Sequence, residues 1–378
     1  MFFDELERLR QDNLFRQIRD RGPACTAAKI LINGIEHINF SSNDYLGLAN
    51  HPSITEAAKK ALDKYGFGSG ASRLLSGGTE LHGELERKIA EFKGTEAALI
   101  FNSGYTANIS AIPAIAGEGD VIFSDELNHA SIIDGCRLSR AKKAIYRHRD
   151  VEHLSELIKK ENGKKKIVIT DTVFSMDGDI APLKEISDIC QRHNAILYID
   201  DAHGTGVLGN GKGALSHFGI KPGHKIIQMG TFSKALGSYG AFIAADKNVT
   251  DWLTNTARGF IYSTALPACI FAASIEALKI LQNDLSLVKK LWQNRERLFK
   301  GIKDLKFDTI DSETPIIPVV VGDTNTTLKF SELLMSHNIY APAIRPPTVK
   351  VPRLRVTVTA AHTEDDIDEL LKVLLFAK

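Results

Sequence analysis

The sequence predicts an α/β protein with a large domain on a mostly parallel sheet flanked by helices, a smaller C-terminal α+β domain and an N-terminal helical arm. Three observations carry this. Between about residues 50 and 260, short apolar runs alternate with segments of helical period. Several of these runs are continuously apolar, as strands covered on both faces must be. From Pro267 the texture changes to a long helical pattern, two further apolar runs and two helices. At the start, Phe2, Leu6, Leu9, Leu14 and Ile18 recur at helical spacing in "MFFDELERLRQDNLFRQIRDRG", the pattern of an amphipathic helix. The boundaries this gives are 1–45 for the arm, 46–266 for the large domain and 267–378 for the small one.

Taken in order, the strands of the large domain are "AALIF" (97–101), "VIF" (121–123), "KIVIT" (166–170), "AILYI" (195–199), "KIIQM" (225–229) and "AFIAA" (241–245), with "YTANISAIPAIA" as the helix after the first. In the small domain a helical pattern runs to about Leu305, followed by "IIPVVV" (316–321), a helix near 327–337, "LRVTVT" (354–359) and a last helix opened by "TEDD". There Thr363 and Asp366 have the spacing of a capping box, with Asp in place of the usual Glu.

Composition excludes several classes. The chain has 378 residues, 43% of them hydrophobic, and a formal net charge of +1. Such balance gives no global pull towards nucleic acid or a membrane surface. The four cysteines, Cys25, Cys136, Cys190 and Cys269, form no C-x-x-C, so neither a disulfide framework nor a cysteine zinc site is indicated. The N-terminus is charged throughout and no apolar run reaches the ~18 residues of a membrane span. The reading is a soluble, cytoplasmic protein without a metal.

In an open parallel sheet, ligands gather outside the carboxyl ends of the strands, so the residues after each run are the candidates. "NSGYTAN" follows the first run; its Gly104 opens a helix, whose free N–H groups favour a phosphate. His129 follows the second, with a flat ring able to stack on a planar ligand. Asp200 ends "AILYI" with Asp201 and His203 beside it, an acid suited to a cationic ligand atom. "GTFSKALG" follows "KIIQM" and places Lys234 among small residues. Desolvation there favours the neutral, nucleophilic amine that forms Schiff bases. Pyridoxal phosphate needs these four parts: an amine, an acid for its ring nitrogen, a flat group and phosphate donors.

Rival motifs fail on context. Gly204, Gly206 and Gly209 fit G-x-G-x-x-G, but the following "NGKGALSHFGIKPG" is no helix former, and no acid lies between Asp201 and Asp246 to hold a ribose. There is no nucleophile elbow, no P-loop and no H-E-x-x-H. Cys190 and His193 have zinc-like spacing but lie on an amphipathic helical pattern without a second pair, which reads as packing.

The segments "NFSSNDYLGL" (39–48), "FNSGYTAN", "DELNHASIIDG", "FSMDGDIAPL" (174–183), "DDAHGTGVLG", "GTFSKALG", "YSTALP" (262–267) and "AIRPPTV" (343–349) resemble, in order, the α-oxoamine synthases. That family has the fold-type I aminotransferase architecture. "DDAHGTG" favours the branch that joins L-alanine to a pimeloyl thioester in biotin biosynthesis. The alternative is another family member, of the glycine C-acetyltransferase or serine palmitoyltransferase type.

The resemblance implies roles. Lys234 bonds the cofactor and moves the substrate Cα proton. Asp200 holds the ring nitrogen, His203 and Ser175 lie at the ring hydroxyl, and His129 stacks. Gly104, Tyr105 and Thr231 hold the phosphate, joined by Thr264 from the second subunit of a homodimer. Asn43 and Arg355 clamp the amino-acid carboxylate, a task suited to a guanidinium fork. Arg19 matches an N-terminal arginine near the acyl chain, with Arg21 close by. A shortened loop before Arg355 leaves the roles of Arg345 and Arg353 open. The acyl carrier, coenzyme A or acyl carrier protein, also stays open. The basic stretch "RLSRAKKAIYRHR" (137–149) reads either as a solvated face or as a landing site for that carrier.

Overall fold

The computed structural model describes residues 1–16, 18, 20–22 and 26–377; Arg19 and Cys25 fall outside them. The chain forms two compact units: His51–Phe174 with Ile180–Leu285, and Met1–Asn50 with Ser175–Asp179 and Ser286–Lys378. The boundary read at 266/267 thus lies at Leu285/Ser286 instead. The helical pattern from residue 267 is two helices, Ala268–Asn283 and Ser286–Asp304, broken where Asp284 turns extended. The first of them packs on the helices Pro52–Tyr65 and Glu80–Lys93 and buries Phe271, Ala277, Leu278 and Leu281, which ties it to the larger unit.

The larger unit holds a sheet in the order 97–101, 241–245, 226–231, 196–200, 166–171, 121–125, 142–146. The last five pair in parallel, while Ala241–Ala245 is antiparallel to both its neighbours. Ile167, Ile169, Ile227 and Met229 join one apolar cluster with the helix Gly104–Ile115. The residues of opposite parity, Val168, Leu197 and Ile199, are equally buried. Both faces are therefore covered, which explains the continuous apolar runs.

Lys142–Tyr146 was not anticipated as a strand. It sits at the sheet edge, and only Ala144 and Tyr146 face inward. The lysines Lys142 and Lys143 are what an edge strand needs to stay unpaired, so part of the basic stretch is edge protection. Cys190 is buried on the helix Leu183–Arg192, as packing requires.

The smaller unit contains two three-stranded sheets. Ile339–Tyr340 pairs with Ile35–Asn39, joining the N-terminal segment to the C-terminal one. Ile316–Val319 and Ala343–Ile344 flank Arg353–Thr357. The Thr363–Asp366 box is reciprocal: Thr363 N donates to Asp366 Oδ2 at 2.9 Å and Asp366 N to Thr363 Oγ1 at 3.2 Å. The N-terminal helix is shorter than its pattern, Phe3–Gln11. Asn13 adopts a left-handed φ of 56° and ends it, leaving Leu14 and Ile18 beyond, and none of its residues is buried. No helix among the described residues is long and apolar enough to cross a membrane.

Each unit carries a T-x-x-H box. Thr79 N donates to His82 Nδ1 at 3.1 Å, and Thr359 N to His362 Nδ1 at 3.0 Å. Accepting at Nδ1 places the ring hydrogen on Nε2, which is buried without a hydrogen-bond partner among the described residues in both. Burial holds each ring neutral and pushes its pKa from 6.5 down to about 4. The unfolded chain binds these two protons at higher pH than the folded one does. Stability is therefore full above 6.5 and falls as pH drops towards about 4. Urea unfolding across that window should show a slope approaching two protons from this pair, and His82→Phe should remove one of them.

Candidate functional site

Register aligns the strand ends of the larger unit. Asp171 pairs with Asp200, Asp200 with Met229, and Thr231 with Ala241, which in turn pairs with Phe101. Asp171, Asp200 and Thr231, with the turn after Phe101, thus share one edge of the sheet. The sequence-predicted residues follow from it.

Asp200 is 4% exposed. Its Oδ2 accepts from Asn108 Nδ2 at 2.8 Å and its Oδ1 from Ala202 N at 3.0 Å. Burial pushes its carboxyl pKa up, while the charge on Lys234 and these hydrogen bonds pull it back. Asn108 also donates to Ser131 Oγ at 2.9 Å and accepts from Tyr198 Oη at 2.7 Å. It is fully buried and sits one helical turn after Gly104.

His129 caps the helix Ala130–Leu138, and its Nδ1 pairs with Ser131 Oγ at 2.7 Å. Its N–H donates to Asp171 Oδ2 at 2.6 Å. Its pKa lies below the ordinary histidine value because desolvation, helped by the Lys234 charge, outweighs the opposing pull of Asp200. Asp171 is itself buried, and its pKa is pushed well up by burial and by Asp200.

Gly104 and Tyr105 open the helix Gly104–Ile115, capped by Ser103, whose Oγ accepts from Thr106 N at 3.1 Å. The N–H groups of the first helical residues have no acceptor within the helix. Thr231 is buried, and its hydroxyl donates to Gly240 O at 2.8 Å. The Oγ of exposed Ser233 lies 2.7 Å from Thr231 Oγ1. Lys234 is half-buried in a turn fixed by buried Phe232, Ala235 and Leu236, with Gly237 N donating to Lys234 O at 2.9 Å. Thr264 is exposed, bridged to Ser72, and its carbonyl accepts from Asn102 Nδ2 at 2.9 Å.

The neighbouring carboxylate, Asp201, does something different. Lys93 Nζ donates to Asp201 Oδ2 at 2.8 Å, to Thr205 Oγ1 at 3.2 Å and to Lys212 O at 2.8 Å, which uses all three of its hydrogens. Asp201 also accepts from Thr172 Oγ1, Thr205 Oγ1 and Ala214 N. Both side chains are 1% exposed. A Cβ on Gly204 would lie 2.1 Å from Asp201 Oδ1, and one on Gly213 would lie 1.9 Å from Oδ2. These glycines let backbone close around a buried carboxylate. Of the dinucleotide-like spacing, Gly204 serves this packing, while a Cβ on Gly209 would lie 2.5 Å from His217 N and 2.6 Å from Gly213 O; buried His203 precedes Gly204.

Ser175, Asn43 and Arg355 all belong to the smaller unit. Arg355 is 6% exposed. Its Nε donates to Ser175 O at 2.6 Å, Nη1 to Thr357 Oγ1 at 2.9 Å and Nη2 to Asn43 Oδ1 at 3.1 Å. The Tyr45 hydroxyl is a further partner, and burial pushes its phenol up to about 12 against the pull of Arg355. No carboxylate pairs with Arg355 among the described residues.

Sequence reading missed Asn108, Asp171, Ser131, Ser233 and Tyr45. All of these but Asp171 stand inside quoted motifs. Asp171 ends a strand run, so it met the strand-end criterion and was overlooked.

The family profile described as aminotransferase class I and II matches residues 35–374. The chain belongs to this aminotransferase family. A relative from Thermodesulfovibrio yellowstonii is 54% identical over 371 residues, 98% of this chain and 95% of its own. An 8-amino-7-oxononanoate synthase of Thermoanaerobacter pseudethanolicus is 48% identical over 378 residues, 98% of this chain and 94% of its own. Among solved structures, serine palmitoyltransferase from S. paucimobilis with a bound PLP–myriocin aldimine matches at TM-score 0.94 and 29% identity, over 100% of this chain and 96% of its own. An 8-amino-7-oxononanoate synthase from Francisella tularensis matches at TM-score 0.78 and 31% identity, over 90% of this chain and 97% of its own. The fold is that of the fold-type I aminotransferases.

In this aminotransferase-family chain, Lys93→Met should leave Asp201 buried and unpaired and lower the unfolding free energy by about 3–5 kcal/mol. Lys93→Met/Asp201→Leu should lose less than the sum of the two single changes, read by urea unfolding.

Proposed function

We propose that this chain acts as an 8-amino-7-oxononanoate synthase, using pyridoxal phosphate to join L-alanine to a pimeloyl thioester with release of CO2 and free thiol. The donor set fits that cofactor. A buried acid, Asp200, suits a protonated ring nitrogen, the Gly104 and Tyr105 N–H groups suit a phosphate, and Lys234 supplies the amine. When bound, the cofactor ring takes up the electron pair left as the amino acid's Cα–H bond breaks.

The residues have distinct tasks. Asp200 keeps a proton on the ring nitrogen, with Asn108 fixing the carboxylate. His129 covers the ring face, and Asp171 fixes the main chain of His129. His203 and Ser175 serve the ring hydroxyl. Thr231, with Thr264 from a second subunit, adds to the phosphate donors. Lys234 holds the cofactor and then moves the Cα proton. Arg355 and Asn43 hold the alanine carboxylate. Arg19, which lies outside the described residues, is proposed for the acyl chain.

The observation that carries the reading is Arg355. A buried guanidinium without a carboxylate partner is costly alone and calls for an anion from outside. Burial pushes its pKa below the ordinary value. The choice of alanine and pimeloyl thioester is supported by relatives of that name at 48% identity over nearly the whole chain. Fold likeness alone does not choose between branches.

Arg355→Gln should raise KM for alanine roughly a hundredfold with little change for the donor, and Lys234→Ala should abolish turnover. Product analysis with alanine and either pimeloyl-CoA or a pimeloyl carrier protein identifies the donor. Faster turnover of glycine with acetyl thioester, or serine with palmitoyl thioester, would move the chain to another branch.

The larger unit exposes Phe67 (78%), Leu75 (81%) and Tyr262 (72%), on segments joined by the Ser72–Thr264 bridge. We propose that a second copy covers them. Leu75→Asp should weaken the dimer about tenfold or more in sedimentation equilibrium.

A further inference from the structure

The strand Arg353–Thr357 alternates. Leu354 and Val356 enter the apolar cluster of the smaller unit, so Arg353, Arg355 and Thr357 share the opposite face. All three are buried. What covers this face includes the five-residue segment Ser175–Asp179, which the chain contributes to this unit from between residues 174 and 180.

The segment is held at three points. Arg353 Nη1 pairs with Asp177 Oδ1, with side chains 6% and 15% exposed. The same nitrogen reaches Met176 O at 3.3 Å, and Arg353 Nε donates to Val351 O at 3.0 Å. Gly178 O accepts from Thr314 Oγ1 at 2.8 Å and from Glu313 N at 3.0 Å. Gly178 has φ 72°, and a Cβ there would lie 2.0 Å from Ile316 O, so the backbone approach needs glycine. The consequence falls on Arg355, whose Nε donates to Ser175 O at 2.6 Å. That carbonyl belongs to the clamped segment and is one of the acceptors that hold the guanidinium, beside Thr357 Oγ1 and Asn43 Oδ1.

We infer that the Arg353–Asp177 pair is a positioning device for amino-acid binding: it pins the Ser175–Asp179 segment so that the Ser175 carbonyl orients the carboxylate-binding face of Arg355. This gives Arg353, whose role the sequence left open, a task through its neighbour two residues on. The inference rests on the proposed role of Arg355 as the carboxylate clamp.

The two partners separate positioning from a charge effect. Asp177→Asn leaves an extra positive charge near Arg355, and Arg353→Gln leaves an extra negative one. A field effect alone would lower KM for alanine in the first and raise it in the second. Loss of positioning raises it in both, roughly tenfold to a hundredfold, because small misplacements of a binding group are costly. KM for the pimeloyl thioester stays near native. The double variant is no worse than the poorer single one, and Asp177→Glu, which keeps the charge, restores most of the loss.

Alanine binding read from the absorbance of the holoenzyme gives the same ordering without turnover. An unchanged or lowered KM for alanine in Asp177→Asn overturns the inference. Equal rises for alanine and thioester, or loss of cofactor, also overturn it. If Arg355→Gln leaves alanine KM unchanged, the clamp reading fails and this inference with it. If Arg355→Gln raises it and Asp177→Asn does not, this inference alone fails.

Discussion

The buried ion pair of Lys93 and Asp201 fixes the turn after the strand Ile196–Asp200, and the rest of the larger unit's candidate site depends on it. Adjacent residues of an extended chain point to opposite sides. Asp201 therefore turns towards Lys93 and is fully satisfied there, while Asp200 turns towards Asn108. Satisfying Asp201 brings the backbone at Gly204 and Gly213 against its carboxylate. Two carboxylates that look alike in sequence thus divide the work. One holds the fold, and the other is the acid proposed to meet the ring nitrogen.

Much of this was legible in the sequence. Continuous apolar runs marked the strands of the covered sheet, and the strand-end rule then selected Asp200, Lys234 and the Gly104 turn. The glycine spacing was read as a decoy from its lack of a following helix and ribose acid. Close approaches at Gly204, to Asp201, and at Gly209, to the main chain of His217 and Gly213, give those two glycines a physical cause. Other features left weaker traces. The edge strand Lys142–Tyr146 buries only alternate residues and carries lysines outward, so its charge masked its period. Asp284 interrupts a helical pattern without Pro or Gly, and only the observed extended backbone reveals the break.

Long-range partnerships were the least legible. Asn108 and Asp200 are 92 residues apart, and Arg355 and Ser175 are 180 apart. No local periodicity encodes such pairs. Asp171 is a different case, since it ends a strand run and lies beside Asp200 in register. Its carboxylate accepts the N–H of His129, so the ring proposed to lie on the cofactor is fixed through main chain as well as through Ser131.

The smaller unit applies one economy of design to both arginines of the strand Arg353–Thr357. Removing a guanidinium from water is costly unless its charge is met. Arg353 meets that cost internally with Asp177. Arg355, two residues on and just as buried, receives only neutral oxygens: Ser175 O, Thr357 Oγ1, Asn43 Oδ1 and the Tyr45 hydroxyl. Neutral partners satisfy geometry and leave the charge uncompensated. The amino-acid carboxylate proposed to bind there would meet a preoriented cation withdrawn from water, where charge-assisted hydrogen bonds are strongest. Supplying Arg355 with an internal acid would stabilise the free protein and remove the attraction for the amino acid. The contrast between the two arginines is therefore a contrast between a charge met inside the fold and one that, on the proposed reading, its ligand meets.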